Sequence, residues 1–272
     1  MVRSLWTAAT GMNAQQVNVD TIANNLANVN TMGYKAQQAE FKSLLYQTLQ
    51  TATTTANGDP KPTSSQVGLG VRNSSINNIF SQGSLLESES DTAFAISGDG
   101  FFGIRTADGT TQYTRNGDFT WAVNGNNGVM LTTQDGLAVL DTTGKAITLG
   151  NQYIANKVSI AADGSVCYPD ANGNAKPIGV KIGLWQFNNP GGLERTGDTL
   201  WRATAASGVP LNEATNANVN KSKVVQGYLE GSNVKVATEM VNLIVAQRAY
   251  EMNSKAITTT DEMMQTANNL KR

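Results

Sequence analysis

Residues 5–29 read LWTAATGMNAQQVNVDTIANNLANV, and residues 236–264 read VATEMVNLIVAQRAYEMNSKAITTTDEMM. In the first stretch, counting sevens from Leu5 gives Met12, Val19 and Leu26, while a second row passes through Ala8, Gln15, Ile22 and Val29. In the second, the same count gives Val236, Leu243, Tyr250, Ile257 and Met264, with Met240, Gln247, Ser254 and Asp261 four residues after successive members. A sustained period of seven marks helices that pack along a narrow seam. The first helix is expected to end between Asn28 and Gly33, where Asn30 and Thr31 supply turn chemistry and Gly33 can take a positive φ. The second is expected to follow Gly231, with Ser232 or Asn233 as its cap, and to run without proline to Arg272. At 1.5 Å per residue it would be about 55 Å long, more than a compact domain covers. Both seams carry polar members, Gln15, Gln247, Ser254 and Asp261, so the pair is expected to be marginal alone and to gain stability from neighbouring copies.

Between the helices, from about Gly68 to Pro210, the pattern becomes short apolar runs separated by turn signals. Asp99-Gly100, Asp108-Gly109, Asn116-Gly117, Asn127-Gly128, Asp135-Gly136 and Asp163-Gly164 are hairpin-type dipeptides beside β-rich runs such as Phe101–Ile104 and Leu137–Leu140. Gln50–Gln66, rich in Thr, Ala, Ser and Pro, shows neither period and is expected to be a loop or extended arm, and Asn212–Lys223 a second connector. The expected fold is α+β: a discontinuous terminal-helix coiled-coil layer with an inserted antiparallel β-rich outer domain. Residues 1–35 and 233–272 form the helical layer, 36–75 and 211–232 the connector region, and 76–210 the β domain.

Composition narrows the chemistry. The 272 residues hold 20 Lys+Arg against 21 Asp+Glu, so no basic field exists to attract nucleic acid. No apolar run is long enough to span a bilayer, and no direct membrane insertion is expected. The first residues lack the apolar core and cleavage site of a conventional secretory signal. With no His, the commonest general base and metal ligand is missing, and no metal or cofactor is expected. Gly98–Gly103 spells GDGFFG, the letters of a dinucleotide fingerprint, yet Ile104 to Gly109 continue as a strand and turn, without the helix that mechanism needs. Ser232 and Lys235 have Ser-x-x-Lys spacing, but no further element of that acyl-transfer site is present. Asp170–Asn174 is read as a turn; its Gly and Lys181 stand at the wrong places for a calcium loop. Glu87, Glu89 and Asp91 are read as a solvated cluster, and Cys167 as a half-buried small residue. The expectation is a protein that is not an enzyme.

Two segments also carry a resemblance. Ser4–Met12 (SLWTAATGM) with Asp20–Lys35 (DTIANNLANVNTMGYK), and Gly227–Val234 (GYLEGSNV) leading into Glu239–Asn242 and Gln247–Lys255, are similar to bacterial flagellar rod and hook proteins, the distal rod type most closely. Phe80–Leu85, Tyr113–Phe119 and Phe187–Leu193 resemble the same family. The resemblance implies a helical homopolymer in the periplasmic rod of the flagellar basal body, delivered by the flagellar type III export apparatus. It would meet proximal-rod proteins, hook or hook-junction proteins, and the P-ring and L-ring bushings. On this reading Leu5, Met12, Val19, Ile22, Leu26, Val29, Val236, Met240, Leu243, Gln247, Tyr250, Ile257 and Met264 form the subunit interface. Asn24, Asn25 and Asn28 join it as amides that either bond neighbouring helices or keep the surface soluble. The segment Ser43–Gln66 is expected to wedge between subunits. A hook or proximal-rod subunit, and a secreted β-rich adhesin or carbohydrate enzyme, are the alternatives.

Overall fold

The computed structural model describes residues 2–50, 65–125, 128–170, 174–197, 199–216 and 219–270. Residues 51–64 of the expected arm, Asn127 of one turn dipeptide and the centre of the Asp170–Asn174 turn lie outside them. The chain divides into two units, one of Met1–Ala27, Gln37–Asn78 and Lys235–Arg272, the other of Asn28–Ala36 and Ile79–Val234.

In the first unit, helix α1 (Val2–Ala27) packs against helix α2 (Val236–Asn269). Ala8, Ala14 and Thr21 of α1 and Ala246 and Thr260 of α2 are buried. A Cβ at Gly11 would sit 2.8 Å from Asn253 Nδ2. The buried hydroxyls stay satisfied by donating back into their own helices, Thr21 to Val17 O at 2.8 Å and Thr260 to Ala256 O at 2.7 Å.

The described residues of the region expected as a connector are largely strand. β1 (Gln37–Ser43) pairs antiparallel with β4 (Val71–Asn78) from Gln37↔Asn78 to Ser43↔Val71, with a bulge between Glu40 and Phe41. β2 (Tyr46–Gln50) pairs with β3 (Ser65–Gly68), so Ser65 and Gln66 belong to a strand and not to the expected arm. These strands are polar, with Gln37, Ala39 and Phe41 the half-buried members of β1, so their alternation is faint in the sequence. The expected caps are also corrected. α2 begins after Lys235 without a side-chain cap bond, because Ser232 Oγ accepts from Val234 N and Asn233 bonds elsewhere.

In the second unit, among the described residues, a ten-stranded antiparallel sheet runs from Thr148–Leu149 through Val129–Thr133, Ala138–Val139, Phe101–Arg105, Thr111–Thr114 and Leu200–Arg202 to Glu194–Gly197. Phe119–Val123, Leu184–Gln186 and Leu211–Asn212 attach to that path. Its core holds Phe94, Ile96, Phe102, Ile104, Phe119 and Leu131, beside an aromatic cluster of Phe101, Tyr113, Trp185, Phe187 and Trp201. The expected second connector is part of this unit: Lys223–Gln226 pairs with Phe94–Ser97, and Tyr228–Glu230 with Leu85–Glu87. Those partners are distant in sequence, which a local reading cannot supply.

Asp108-Gly109, Asp135-Gly136 and Asp163-Gly164 each join strands that pair with one another. Asp99-Gly100 and Asn116-Gly117 do not, since the strands on either side of each pair elsewhere. Gly117 is required instead by close approach: a Cβ there would lie 1.7 Å from Phe94 O. Cys167 is buried in strand Ser165–Pro169, and Glu87, Glu89 and Asp91 are exposed.

Candidate assembly surface

The larger apolar residues of α1 and α2 are divided among buried, half-buried and exposed positions. On α1, Ile22 is buried and Leu5, Met12, Val19 and Leu26 are half-buried. On α2, Leu243, Ile257 and Met264 are half-buried, whereas Val236, Met240, Gln247 and Tyr250 are exposed. Gln16, Val19, Gln247, Tyr250 and Glu251 line a groove between the helices.

The asparagines have specific duties inside the chain. Asn25 is buried; its Nδ2 donates to Gln37 O at 2.8 Å and its Oδ1 accepts from Gln37 N at 2.8 Å, so one amide closes both backbone groups of a residue in β1. Asn24 Nδ2 donates to Gln37 Oε1 at 3.2 Å. Asn28 and Val29 lie in the second unit, where Asn28 Oδ1 accepts from Thr31 Oγ1 and Val29 packs on Tyr34, Ala36 and Val234.

Counting sevens missed the most exposed apolar row of α2. Val241, Ile244, Val245 and Met252 are 59%, 57%, 62% and 66% exposed, and with Arg248 they stand at i, i+3, i+4, i+7 and i+11, one face of a helix. Arg248 offers its aliphatic stem to that face while its guanidinium reaches Glu251 Oε2 at 3.0 Å. Trp6 of α1 is 68% exposed. The signal that could have found this row was the run Met240–Val245, apolar at more positions than a single seam uses.

A second set of residues that the sequence reading left without a role lies inside the second unit. Glu230 Oε1 accepts from Lys35 Nζ at 2.6 Å and Gly83 N at 2.9 Å, and Oε2 faces Arg115 Nη1 at 3.3 Å. Lys35 Nζ also donates to Ser81 O at 2.8 Å, and Arg115 Nη2 to Gly98 O at 2.8 Å. Burial pushes the Lys35 ammonium below the usual lysine value, with Glu230 opposing the shift; Arg115 is lowered by the same cause. Arg195 lies against the rings of Tyr34 and Trp201, 4.6 and 4.8 Å from their centroids, and donates to Lys35 O at 2.9 Å. Asn233 Oδ1 accepts from Ala36 N at 2.7 Å while its Nδ2 donates to Ile79 O at 2.7 Å.

No cluster of three or more His, Cys, Asp or Glu that could hold a metal occurs among the described residues, and no helix there is long and apolar enough to cross a membrane. Three families match parts of the chain. Residues 5–35 match "Flagella basal body rod protein", residues 95–168 "Flagellar hook protein FlgE/F/G D1 domain", and residues 225–270 "Flagellar basal body rod FlgEFG protein C-terminal". The chain is 45% identical over 274 residues to the flagellar basal-body rod protein FlgG of Borreliella burgdorferi, covering 100% of both chains. It is 42% identical over 264 residues to FlgG of Agrobacterium fabrum, covering 96% of this chain and 97% of the relative. With FlgG of Buchnera aphidicola it shares 41% identity over 267 residues, covering 97% and 98%.

Proposed function

The chain belongs to the FlgG family of flagellar basal-body rod proteins, and from that premise we propose that it is a structural subunit of the rod that polymerises helically through α1 and α2. The carrying observation is the exposed row Val241, Ile244, Val245 and Met252. Covering each of these side chains would contribute on the order of 1 kcal/mol or more, and a continuous apolar face of this kind marks a contact site. Repetition of one chain supplies a partner in which α1 and α2 of each copy are always available. A contact between unlike faces propagates into a helix where its rotation does not close on itself.

In this reading the terminal helices of successive copies form a coiled-coil layer around the rod axis, and the β-rich body supplies the outer domain of each subunit. Leu5, Met12, Val19, Val236, Met240, Gln247 and Tyr250 then join the exposed row at the contacts between copies. The tube acts as a drive shaft, passing motor torque to the hook. The finer expectations follow the family: a place in the distal, periplasmic part of the rod, and delivery by the type III export apparatus. Its neighbours are proximal-rod and hook or hook-junction proteins at the ends and P-ring and L-ring bushings around it. The segment Ser43–Gln66, expected as a wedge, is proposed to stiffen packing between subunits.

Sedimentation of the full-length protein over rising concentration tests this. The wild type is expected to form long assemblies, and Ile244→Ser with Val245→Ser to leave a folded monomer. Assemblies undiminished by the double substitution would count against the α2 face as the contact.

A further inference from the structure

We propose that the buried node of Lys35, Arg115 and Glu230 is a latch that makes the seating of residues 28–36 depend on the seating of residues 225–234. The inference deepens the rod reading and rests on it for its consequence, because these segments are continuous with α1 and α2 and so set when a subunit is competent to assemble.

The side chains of Lys35, Arg115 and Glu230 are 0%, 2% and 0% exposed. With Glu230 in place, one carboxylate faces both cations. Without it, Lys35 and Arg115 would share an enclosed site as two positive charges, and the cost of burying an unpaired charge exceeds what nearby apolar contacts return. Glu230 in turn needs the cations, since its own carboxylate is fully enclosed. Two cations without the carboxylate are therefore worse than Arg115 and Glu230 alone, whereas a purely apolar joint would fill in either order.

The geometry places the two segments in one joint. Gly33 N donates to Glu230 O at 2.7 Å, Asn233 Oδ1 accepts from Ala36 N at 2.7 Å, and Tyr34 and Ala36 pack with Val234. Carbonyl groups of Ser81 and Gly98 each accept one further bond, from Lys35 Nζ and Arg115 Nη2, while Arg115 Nε is buried without a partner. Seating residues 28–36 brings in Lys35, and seating 225–234 brings in Glu230. Lys35 seated without Glu230 would be a second buried cation beside Arg115, whereas Glu230 seated alone still faces Arg115, so the segment that follows α1 waits for the one that leads into α2.

Amide hydrogen exchange of the full-length protein tests the latch. In Glu230→Gln, exchange is expected to accelerate at least about a hundredfold in both 28–36 and 225–234, although only one of them is altered. Acceleration confined to 225–234 would overturn the proposal. A second pair of variants decides if Glu230→Gln fails to fold: Leu229→Ala, in the strand that carries Glu230, alone, and Leu229→Ala within a neutral node of Lys35→Met, Arg115→Met and Glu230→Met. With the charged node, Leu229→Ala should open both segments to the same extent; with the neutral node it should open 225–234 alone. Joint opening in both backgrounds, or separate opening in both, refutes the latch. A wild type that never assembles would instead sink the rod reading while leaving the exchange coupling as measured.

Discussion

Tyr113 shows how a single buried group ties pH to stability. It lies in the aromatic cluster with its ring edge-on to Phe187, centroids 4.8 Å apart, and burial pushes its phenol up from 10.0 to about 12. Between those values the unfolded chain has lost a proton that the folded chain keeps, so the contribution is complete below pH 10 and is lost as pH rises toward 12. Denaturant midpoints of wild type and Tyr113→Phe should run parallel up to about pH 9 and converge or cross above about pH 10, where only the wild type loses this contribution. Identical slopes through that window would show that another group governs the alkaline limit. Gly33 illustrates a different constraint at the same scale. Its φ is +69°, and a Cβ there would stand 2.5 Å from Asn116 N, so turn geometry and close approach both select glycine.

The two helices are elements whose packing depends on what they lack. α1 carries Gly11 where α2 presents Asn253, and an added methyl would meet the movable end of that side chain at 2.8 Å. Gly11→Ala should therefore be close to neutral, because helix propensity returns about 1 kcal/mol against a contact that Asn253 can relieve by turning. Gly11→Leu should cost about 1–3 kcal/mol by forcing the helices apart. Circular dichroism at increasing denaturant separates these outcomes, and a Gly11→Leu chain as stable as the wild type would show that the helices are not close-packed there. Among the strands, β1 and β4 pair over seven residues with little apolar content, so their stability comes from the ladder and from Asn25 and Gln37 at one end. That is why this region looked unstructured by hydrophobic pattern.

At the scale of the molecule, the body of Asn28–Ala36 and Ile79–Val234 contains its own sheet, cores and charged node. A chain lacking residues 1–27 and 235–272 should keep its near-ultraviolet dichroism and one cooperative unfolding transition, and should sediment as a monomer at every concentration. Loss of the tertiary signal would show that the body depends on the helices. The sequence by itself determined that the ends are helical, that the first helix stops before Gly33, that the middle is antiparallel β, and that imidazole chemistry is absent. These follow from period, turn chemistry and residue type, all of which act over a few neighbouring positions. It also placed Lys35 and Glu230 in view without a role, and it offered Ser232 and Asn233 as caps that α2 does not use. Only the tertiary structure decided that Lys35 meets Glu230 across 195 positions, that Gly117 must clear Phe94, and that Val241, Ile244, Val245 and Met252 face outward. Those outcomes depend on which distant groups offset one another's desolvation, a balance that no local pattern expresses.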